Sequence, residues 1–201
     1  MKWVGLTGSI ATGKTTVAEI FKKNGYPVVD ADLIAREVVA VGTEGFKKIV
    51  KSFGRTIVRD DGELDRKKLG DIVFANPEKR FELERITHPL VQARAAQLRN
   101  ELESKNVKMA FYDVPLLYEK NLQDNFDAVV VVASSAQVQL ERLMKRNNLS
   151  RSQAADRVSS QMSIAEKTAV ADYVIWNDGA MRDLEFETAE CLKRLKLAFG
   201  V

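Results

Sequence analysis

The stretch from residue 3 to residue 16, WVGLTGSIATGKTT, decides the fold of this chain. It begins with an apolar run, Trp3–Thr7, that is typical of a buried strand, and continues into the pattern G-x-x-x-x-G-K-[ST] from Gly8 to Thr15. A helical pattern follows from Thr15 to Lys23 and ends at an Asn-Gly pair. A strand, a glycine-containing loop and a helix in this order predict a phosphate-binding loop.

The loop has the parts that hold the phosphates of a nucleoside triphosphate. Gly8 and Gly13 permit backbone angles that point successive N–H groups inward, and the start of the helix adds partial positive charge. The ammonium of Lys14 reaches the β- and γ-phosphates, and the hydroxyl of Thr15 is a ligand for Mg²⁺. The candidate nucleotide-binding residues are Gly8, Ala11, Thr12, Gly13, Lys14, Thr15 and Thr16, with Thr16 as a donor to the α-phosphate.

Four further apolar runs have the length and composition of strands, namely Pro27–Asp30, Lys108–Val114, Ala128–Ala133 and Tyr173–Trp176. Several are apolar at consecutive positions, as expected for strands that are buried on both faces of a parallel sheet. Helical patterns lie between them. We therefore predict an α/β fold with a doubly wound, parallel, five-stranded sheet that carries the phosphate-binding loop.

The helix boundaries are predicted from capping patterns. Pro89 is predicted to begin one helix, and Ser134–Gln137 has capping-box spacing ahead of a helix over Val138–Arg146. Ser150–Gln153 repeats that signal before a second polar helix. The last helix has one apolar stripe, which makes its cysteine a core residue; the stripe consists of Leu184, Thr188, Cys191, Leu192, Leu195 and Phe199.

The chain is predicted to form a single domain over residues 1–201, with two additions to its core. The stretch between the second and third strands is too long for a minimal crossover and is mostly helical, so we expect a helical substrate-binding insert over residues about 31–105. The polar, basic segment over residues about 136–168 is expected to be a helical lid.

Composition excludes several classes of protein. The chain has 201 residues and a net charge of +3, which by itself predicts neither nucleic-acid nor membrane binding. One cysteine and one histidine, His88, exclude an intramolecular disulfide and a histidine- or cysteine-rich metal site. The longest apolar run, Ala128–Ala133, is far too short to cross a membrane. We expect a soluble, cytoplasmic protein that is a monomer or a weak homo-oligomer.

Acidic residues near the loop favour a kinase over a switch protein. The Asn-Lys-x-Asp pattern of guanine-specific GTPases is absent, and no aspartate has a glycine three positions later. The second strand ends in Asp30 and Asp32, where one carboxylate is expected to cap a helix and the other to deprotonate an attacking hydroxyl. Asp113, at the end of the third strand, either holds Mg²⁺ through water or bonds the local backbone.

The predicted lid is rich in arginine. Arg142 and Arg146 are four residues apart and are expected to share one helix face, and Arg151 and Arg157 follow. An arginine that closes over the phosphates would stabilise the charge of phosphoryl transfer and exclude water. We expect the segment to have little apolar surface and to move freely without ligand.

The whole chain resembles the dephospho-CoA kinase family. The resemblance rests on Gly5–Gly8 running into the phosphate loop and on several short motifs; these are Val28–Asp32 with Ala35-Arg36, Phe53-Gly54, Asp61–Arg66, Ile86–Leu90, Pro115–Glu119, Gln139–Arg142, Gln161 and Asn177–Gly179. The loop motif is generic, whereas the DAD, THP and PLL-x-E motifs together are specific. One departure is visible, because many relatives have Gly-Gly-Ile-Gly-Ser-Gly-Lys where this loop has Ser9 and Ala11.

The resemblance implies ATP-dependent phosphorylation of the ribose 3′-hydroxyl of dephospho-CoA, the final step of coenzyme A synthesis, with ATP and Mg²⁺. It implies that Asp32 is the general base, Lys14 the phosphate lysine and Arg142 the lid arginine. Asn177 and Gly179 match positions near the adenine. The positions that match the acceptor site are Asp32, Arg36, Asp65, Thr87, His88, Pro115, Leu116 and Gln161, and His88 either contacts the acceptor or only shapes its pocket.

Two alternatives stay open at this point. Another small-molecule kinase with the same loop, such as a nucleoside monophosphate kinase, would share the strand, loop and helix. A regulatory protein that binds ATP and switches conformation without an acceptor would share them too.

Overall fold

The computed structural model describes residues 1–201 and contains five strands and nine helices. The strands are β1 (Lys2–Gly8), β2 (Val28–Asp30), β3 (Met109–Asp113), β4 (Ala128–Ala133) and β5 (Tyr173–Trp176). The helices are α1 (Lys14–Lys23), α2 (Ala31–Glu37), α3 (Glu44–Phe53), α4 (Arg66–Ala75), α5 (Pro77–Ser104), α6 (Ala136–Asn147), α7 (Arg151–Ser159), α8 (Ile164–Ala169) and α9 (Met181–Phe199). Short 3₁₀ turns lie at Arg55–Ile57 and Gln123–Asn125.

The strands form one parallel sheet in the order β2-β3-β1-β4-β5. The central strand β1 pairs with β3 from Lys2↔Met109 to Leu6↔Asp113 and with β4 from Val4↔Ala128 to Gly8↔Val132. All five predicted strands and the parallel α/β fold are confirmed. Because parallel strands end at the same edge, β1, β3, β4 and β5 bring their following residues together there.

The two faces of the sheet are covered differently. Helices α1 and α9 pack on one face, where Phe21 stacks on Phe111 and Leu195 is fully buried. On the other face, the irregular stretch after β3 packs directly on the sheet. Leu117 of this stretch lies so close to Gly5 that a Cβ added at Gly5 would be 2.7 Å from its side chain. None of the helices combines the length and apolar character needed to span a bilayer.

The chain divides into two compact units. The first comprises residues 1–29 and 102–201 and holds the sheet core; the second comprises residues 30–101. The second unit has its own apolar cluster, built around Val39, Ile49, Ile57, Leu64 and Leu69. Each unit therefore has a hydrophobic core of its own.

The prediction that Pro89 begins a helix is wrong. Pro89 and His88 lie in the interior of α5, which begins twelve residues earlier at Pro77. The start signal is Asn76, whose Oδ1 accepts from the backbone N–H groups of Glu78 and Lys79 at 2.9 and 3.1 Å, with proline at the first helical position. Helix formers continue on both sides of Pro89 and maintain the helix across it.

Of the two predicted capping boxes, the one at Ser150–Gln153 is confirmed and the one at Ser134–Gln137 is wrong. Ser150 and Gln153 form a capping box at α7, as predicted. The cap of α6 is Ser135 rather than Ser134, because the Ser134 hydroxyl is buried and donates to the carbonyl of Asn177 at 2.8 Å. Five of the six residues of the α9 stripe are buried and Phe199 is partly buried. Burial raises the pKa of the Cys191 thiol to about 12, which confirms Cys191 as a core residue.

Candidate nucleotide site

The phosphate loop lies between β1 and α1, at the edge of the sheet where the parallel strands end. Two of its residues have left-handed backbone conformations, Gly13 with φ of +90° and Ala11 with φ of +62°. Thr12 turns the loop inward, since its Oγ1 donates to the carbonyl of Ser9 at 2.9 Å. The bends leave the backbone amides ahead of α1 in the curved arrangement that binds anions.

Both motif glycines are required by close approach of neighbouring atoms. A Cβ at Gly8 would lie 2.6 Å from the backbone carbonyl oxygen of Val132 on β4. A Cβ at Gly13 would lie 2.2 Å from Nδ2 of Asn177, which follows β5. The sequence pattern therefore reflects contacts with two other strand ends as well as backbone freedom.

Lys14 forms an ion pair with Asp113 at the end of β3. The Asp113 side chain is 7% exposed and that of Lys14 is 16% exposed, so the pair lies beneath the loop surface. Thr15, one residue further into α1, is exposed. A lysine and a carboxylate thus meet at the point where the phosphates of a nucleotide would lie, and a hydroxyl-bearing residue follows next in the chain.

The donor set fits a magnesium ion that is shared with phosphates. Thr15 and Asp113 offer the hard oxygen ligands that Mg²⁺ prefers. No group of three or more histidine, cysteine, aspartate or glutamate side chains is arranged to hold a metal. Mg²⁺ in phosphoryl-transfer sites is commonly held by one or two protein oxygens together with substrate phosphates, and this pair meets that requirement.

Asn177 joins the phosphate loop to Arg142. The side-chain Nδ2 of Asn177 donates to the backbone carbonyl of Thr12 at 2.8 Å. The backbone carbonyl of Asn177 accepts from Nη1 of Arg142 at 2.9 Å. The hydroxyl of Ser134 also accepts from Arg142, at 3.2 Å. Both ends of the Asn177 amide are engaged, because Oδ1 accepts from Nη2 of Arg142 at 3.4 Å.

The predicted lid segment is anchored more firmly than its composition suggested. Leu143 of α6 and Ala154 of α7 are fully buried, so the expectation of little apolar anchorage is wrong for these helices. Arg142 and Arg146 also differ in environment, since Arg142 is half-buried against the strand ends whereas Arg146 is exposed. Nε of Arg146 donates only to the side chain of Asn147.

Three predicted acceptor residues of the first unit lie close to β1 or the loop. The carbonyl of Pro115 accepts from Thr7 Oγ1 at 3.1 Å, and Leu116 beside it is 38% exposed. The side chain of Gln161 accepts from the backbone N–H of Ile10 at 2.8 Å, so it supports the loop directly. Gly179 lies in an exposed turn ahead of α9.

The remaining predicted residues lie in the second unit. Asp30 is the cap of α2, where its Oδ1 accepts from the N–H groups of Asp32 and Leu33, as predicted for one of the two carboxylates. Asp32 is exposed in the first turn of that helix, and Arg36 is exposed in its last turn. Asp65 caps α4 by accepting from Lys68 N–H at 2.9 Å.

Two predicted acceptor residues are neighbours within α5. Thr87 donates to the carbonyl of Leu83 at 2.9 Å, which satisfies its hydroxyl inside the helix. His88 is exposed on the same helix. The long helix therefore presents His88 to solvent.

Comparison with known proteins identifies the family of the chain. A sequence model of the family "Dephospho-CoA kinase" matches residues 2–183. A dephospho-CoA kinase of Bacillus cereus is 46% identical over 191 residues, which cover 95% of this chain and 96% of that one. The chain belongs to the dephospho-CoA kinase family.

Other members of the dephospho-CoA kinase family agree with this assignment. The enzyme of Listeria monocytogenes is 44% identical over 193 residues, covering 96% of each chain. The solved structure of the dephospho-CoA kinase from Campylobacter jejuni has a TM-score of 0.73 and 31% identity and covers 98% of both chains. The match extends over nearly the full length, so both compact units belong to the family's fold.

Sequence reasoning missed an ion pair that this member of the dephospho-CoA kinase family forms between Lys167 and Glu119. Lys167 is completely buried and forms an ion pair with Glu119 at 2.9 Å. Glu119 belongs to the PLL-x-E motif, which singled it out without indicating a partner. Lys167 lies in a polar helix whose composition predicts exposure, so nothing in the local sequence signalled its burial.

Proposed function

We propose that the chain transfers the γ-phosphoryl group of ATP to the ribose 3′-hydroxyl of dephospho-CoA, giving coenzyme A and ADP. The observation that carries the proposal is the ion pair of Lys14 with Asp113 at the phosphate loop, in a chain of the dephospho-CoA kinase family. A loop of this type binds the nucleotide, and family membership supplies the acceptor.

The proposed reaction is an in-line displacement at the γ-phosphorus. The 3′-oxygen forms the new P–O bond while the bond to the β-phosphate oxygen breaks, and ADP leaves. Asp32 accepts the proton of the hydroxyl; its carboxylate is exposed and is not used as a helix cap, unlike that of Asp30. Lys14 and the loop amides bind the phosphates throughout.

Mg²⁺ is proposed to be held by Thr15 and by Asp113, directly or through water. When bound, it would neutralise phosphate charge, which is the chemistry that such ions supply in phosphoryl transfer. Lys14 then exchanges its contact with Asp113 for contacts with phosphate oxygens. The ion pair of the free protein thus keeps both side chains in place for the ligand.

Arg142 and Asn177 are proposed to complete the nucleotide site. Asn177 positions the loop through Thr12, and Arg142 reaches the transferred phosphoryl group by exchanging its contacts with Ser134 and Asn177. Gly179 borders the adenine through its backbone. We propose that Arg36, Asp65, Thr87, His88, Pro115, Leu116 and Gln161 shape or contact the acceptor site, and that residues about 31–105, most of which lie in the compact unit 30–101, form the acceptor-binding insert.

We further propose that the protein acts in the cytoplasm, as a monomer or weak homo-oligomer, on small-molecule substrates. Light scattering during turnover would measure the mass of the active species.

A coupled assay for ADP tests the function. ADP should form only when dephospho-CoA is present, and mass spectrometry should find one phosphate added at the 3′-position. ADP formation with a nucleoside monophosphate instead would indicate a different kinase. If no acceptor changes the rate of ATP hydrolysis or the affinity for ATP, the protein would be a regulatory switch.

A further inference from the structure

A fully buried lysine requires a reason, because transfer of an ammonium group out of water is costly unless it is paired. The side chain of Lys167 is 0% exposed. Its Nζ contacts Glu119 Oε1 at 2.9 Å and the carbonyl of Pro115 at 3.3 Å. The proposed reaction uses neither Lys167 nor Glu119, so the pairing of this buried lysine with a half-buried glutamate has another role.

The pair is connected to the first half of the phosphate loop. Glu119 Oε1 also accepts from the backbone N–H of Met162 at 3.1 Å, which fixes the connector between α7 and α8. The connector in turn holds the loop at two points. Ser9 Oγ donates to the carbonyl of Met162 at 3.3 Å, and the N–H of Ile10 donates to Gln161 Oε1 at 2.8 Å.

A second connection leads to the strand that precedes the loop. The carbonyl of Pro115, which accepts from Lys167, also accepts from Thr7 Oγ1 at 3.1 Å. Thr7 is the residue before Gly8 and is fully buried. One ammonium group is therefore linked to the chain on both sides of Gly8.

We propose that Lys167 and Glu119 are positioning residues that hold the first half of the phosphate loop in its anion-binding shape through the Gln161–Met162 connector. Glu119 Oε2 is buried without a hydrogen-bond partner, so the carboxylate depends on Lys167 for compensation of its charge. That ATP is the ligand of the loop rests on the proposed function. That the ion pair supports the shape of the loop is independent of the proposed function.

The test begins with three variants and two measurements of the loop. Glu119→Gln and Lys167→Met each leave one buried group without its partner, whereas the double variant replaces the pair by neutral side chains of similar size. The first measurement is the hydrogen-exchange rate of the Ile10 amide in the ligand-free protein, by NMR. The second is the Kd for ATP, by calorimetry without acceptor.

We expect the double variant to regain a Tm near that of the wild type but to keep a loosened loop. Its Ile10 amide should exchange about tenfold faster and its Kd for ATP should rise about tenfold, the size expected for loss of one charge-assisted hydrogen bond. Gln161→Ala should give similar changes by itself. Combining Gln161→Ala with the double variant should add little, because both act through one connector.

Lys2→Met is the matched control, since Lys2 pairs with Asp127 at 2.9 Å at the opposite end of β1. It should change neither measurement. An unchanged Ile10 amide in the double variant, or ATP affinity that recovers together with the Tm, would overturn the proposal. A wild-type protein that does not bind ATP, but whose Ile10 exchange responds as described, would support loop positioning and refute the proposed function.

Discussion

Adding one methyl group at Gly13 tests the geometry of the phosphate loop, because two separate costs apply there. The first is conformational: φ is +90°, a region in which a residue with a Cβ is strained. The second is steric, since the new Cβ would lie 2.2 Å from Nδ2 of Asn177 and one of the two would have to move by most of an ångström. That movement would break the 2.8 Å bond from Asn177 to the carbonyl of Thr12.

The two costs have different magnitudes. The left-handed conformation costs roughly 1–2 kcal/mol. Leaving a buried carbonyl without its donor costs about 1–3 kcal/mol more. Gly25→Ala isolates the first cost, because Gly25 has φ of +85° and no atom within 4 Å of the added Cβ. We therefore expect Gly13→Ala to lower the free energy of unfolding by clearly more than Gly25→Ala.

Urea denaturation followed by circular dichroism measures the difference, and calorimetry gives the accompanying loss of ATP affinity. In an Asn177→Ala background, Gly13→Ala should cost no more than Gly25→Ala does in the wild type, because the obstructing amide is gone. Equal effects of the Gly13 and Gly25 substitutions in the wild-type background would refute the steric part of the reasoning.

Three further predictions concern the proposed chemistry. Lys14→Ala should reduce transfer by about 10²-fold or more with an unchanged circular dichroism spectrum, since one phosphate contact is lost at the loop; near-normal turnover would exclude its role. Asp32→Asn should lower kcat by about 10²-fold with ATP affinity little changed. Asp30→Asn should lower kcat less, because asparagine also caps helices. A larger loss of kcat in Asp30→Asn than in Asp32→Asn would identify Asp30 as the base. Arg142→Ala should lower kcat more than it weakens ATP binding. Amide hydrogen exchange over residues 140–167 of the wild type should slow when both substrates are bound. Equal exchange rates with and without substrates, together with full activity of Arg142→Ala, would contradict lid closure.

Local patterns predicted most of the fold. Strands β1 to β5 are short apolar runs, and the capping box at Ser150 is a signal contained in four residues. The stripe of α9 repeats at helical spacing, and five of its six residues are buried as expected. The start of α5 was predicted wrongly at Pro89, because a proline is a strong local signal for a helix boundary. The helix-forming residues on both sides of Pro89 together keep the chain helical across it.

Contacts between distant parts of the chain were beyond sequence reasoning. The phosphate loop was predicted from its motif, but its support by Gln161 joins residues 151 positions apart. The burial of Lys167 likewise follows from where α8 packs, and its composition alone indicates a solvated helix. Asn177 was predicted near the adenine from resemblance, whereas its contacts with Thr12 and Arg142 depend on how β5 and α6 pack in the tertiary fold.

The strand order has a consequence for the synthesis of the protein. Strand β1 is central, yet both of its partners, β3 and β4, lie more than a hundred residues later in the chain. At translation rates of about 5–20 residues per second, β1 waits on the order of ten seconds for its neighbours. Meanwhile residues 30–101, a continuous compact unit, are already complete. Val4 and Leu6, fully buried in the finished sheet, stay unpaired during that interval. The phosphate loop is thus translated well before the residues that contact it, Gln161 and Asn177.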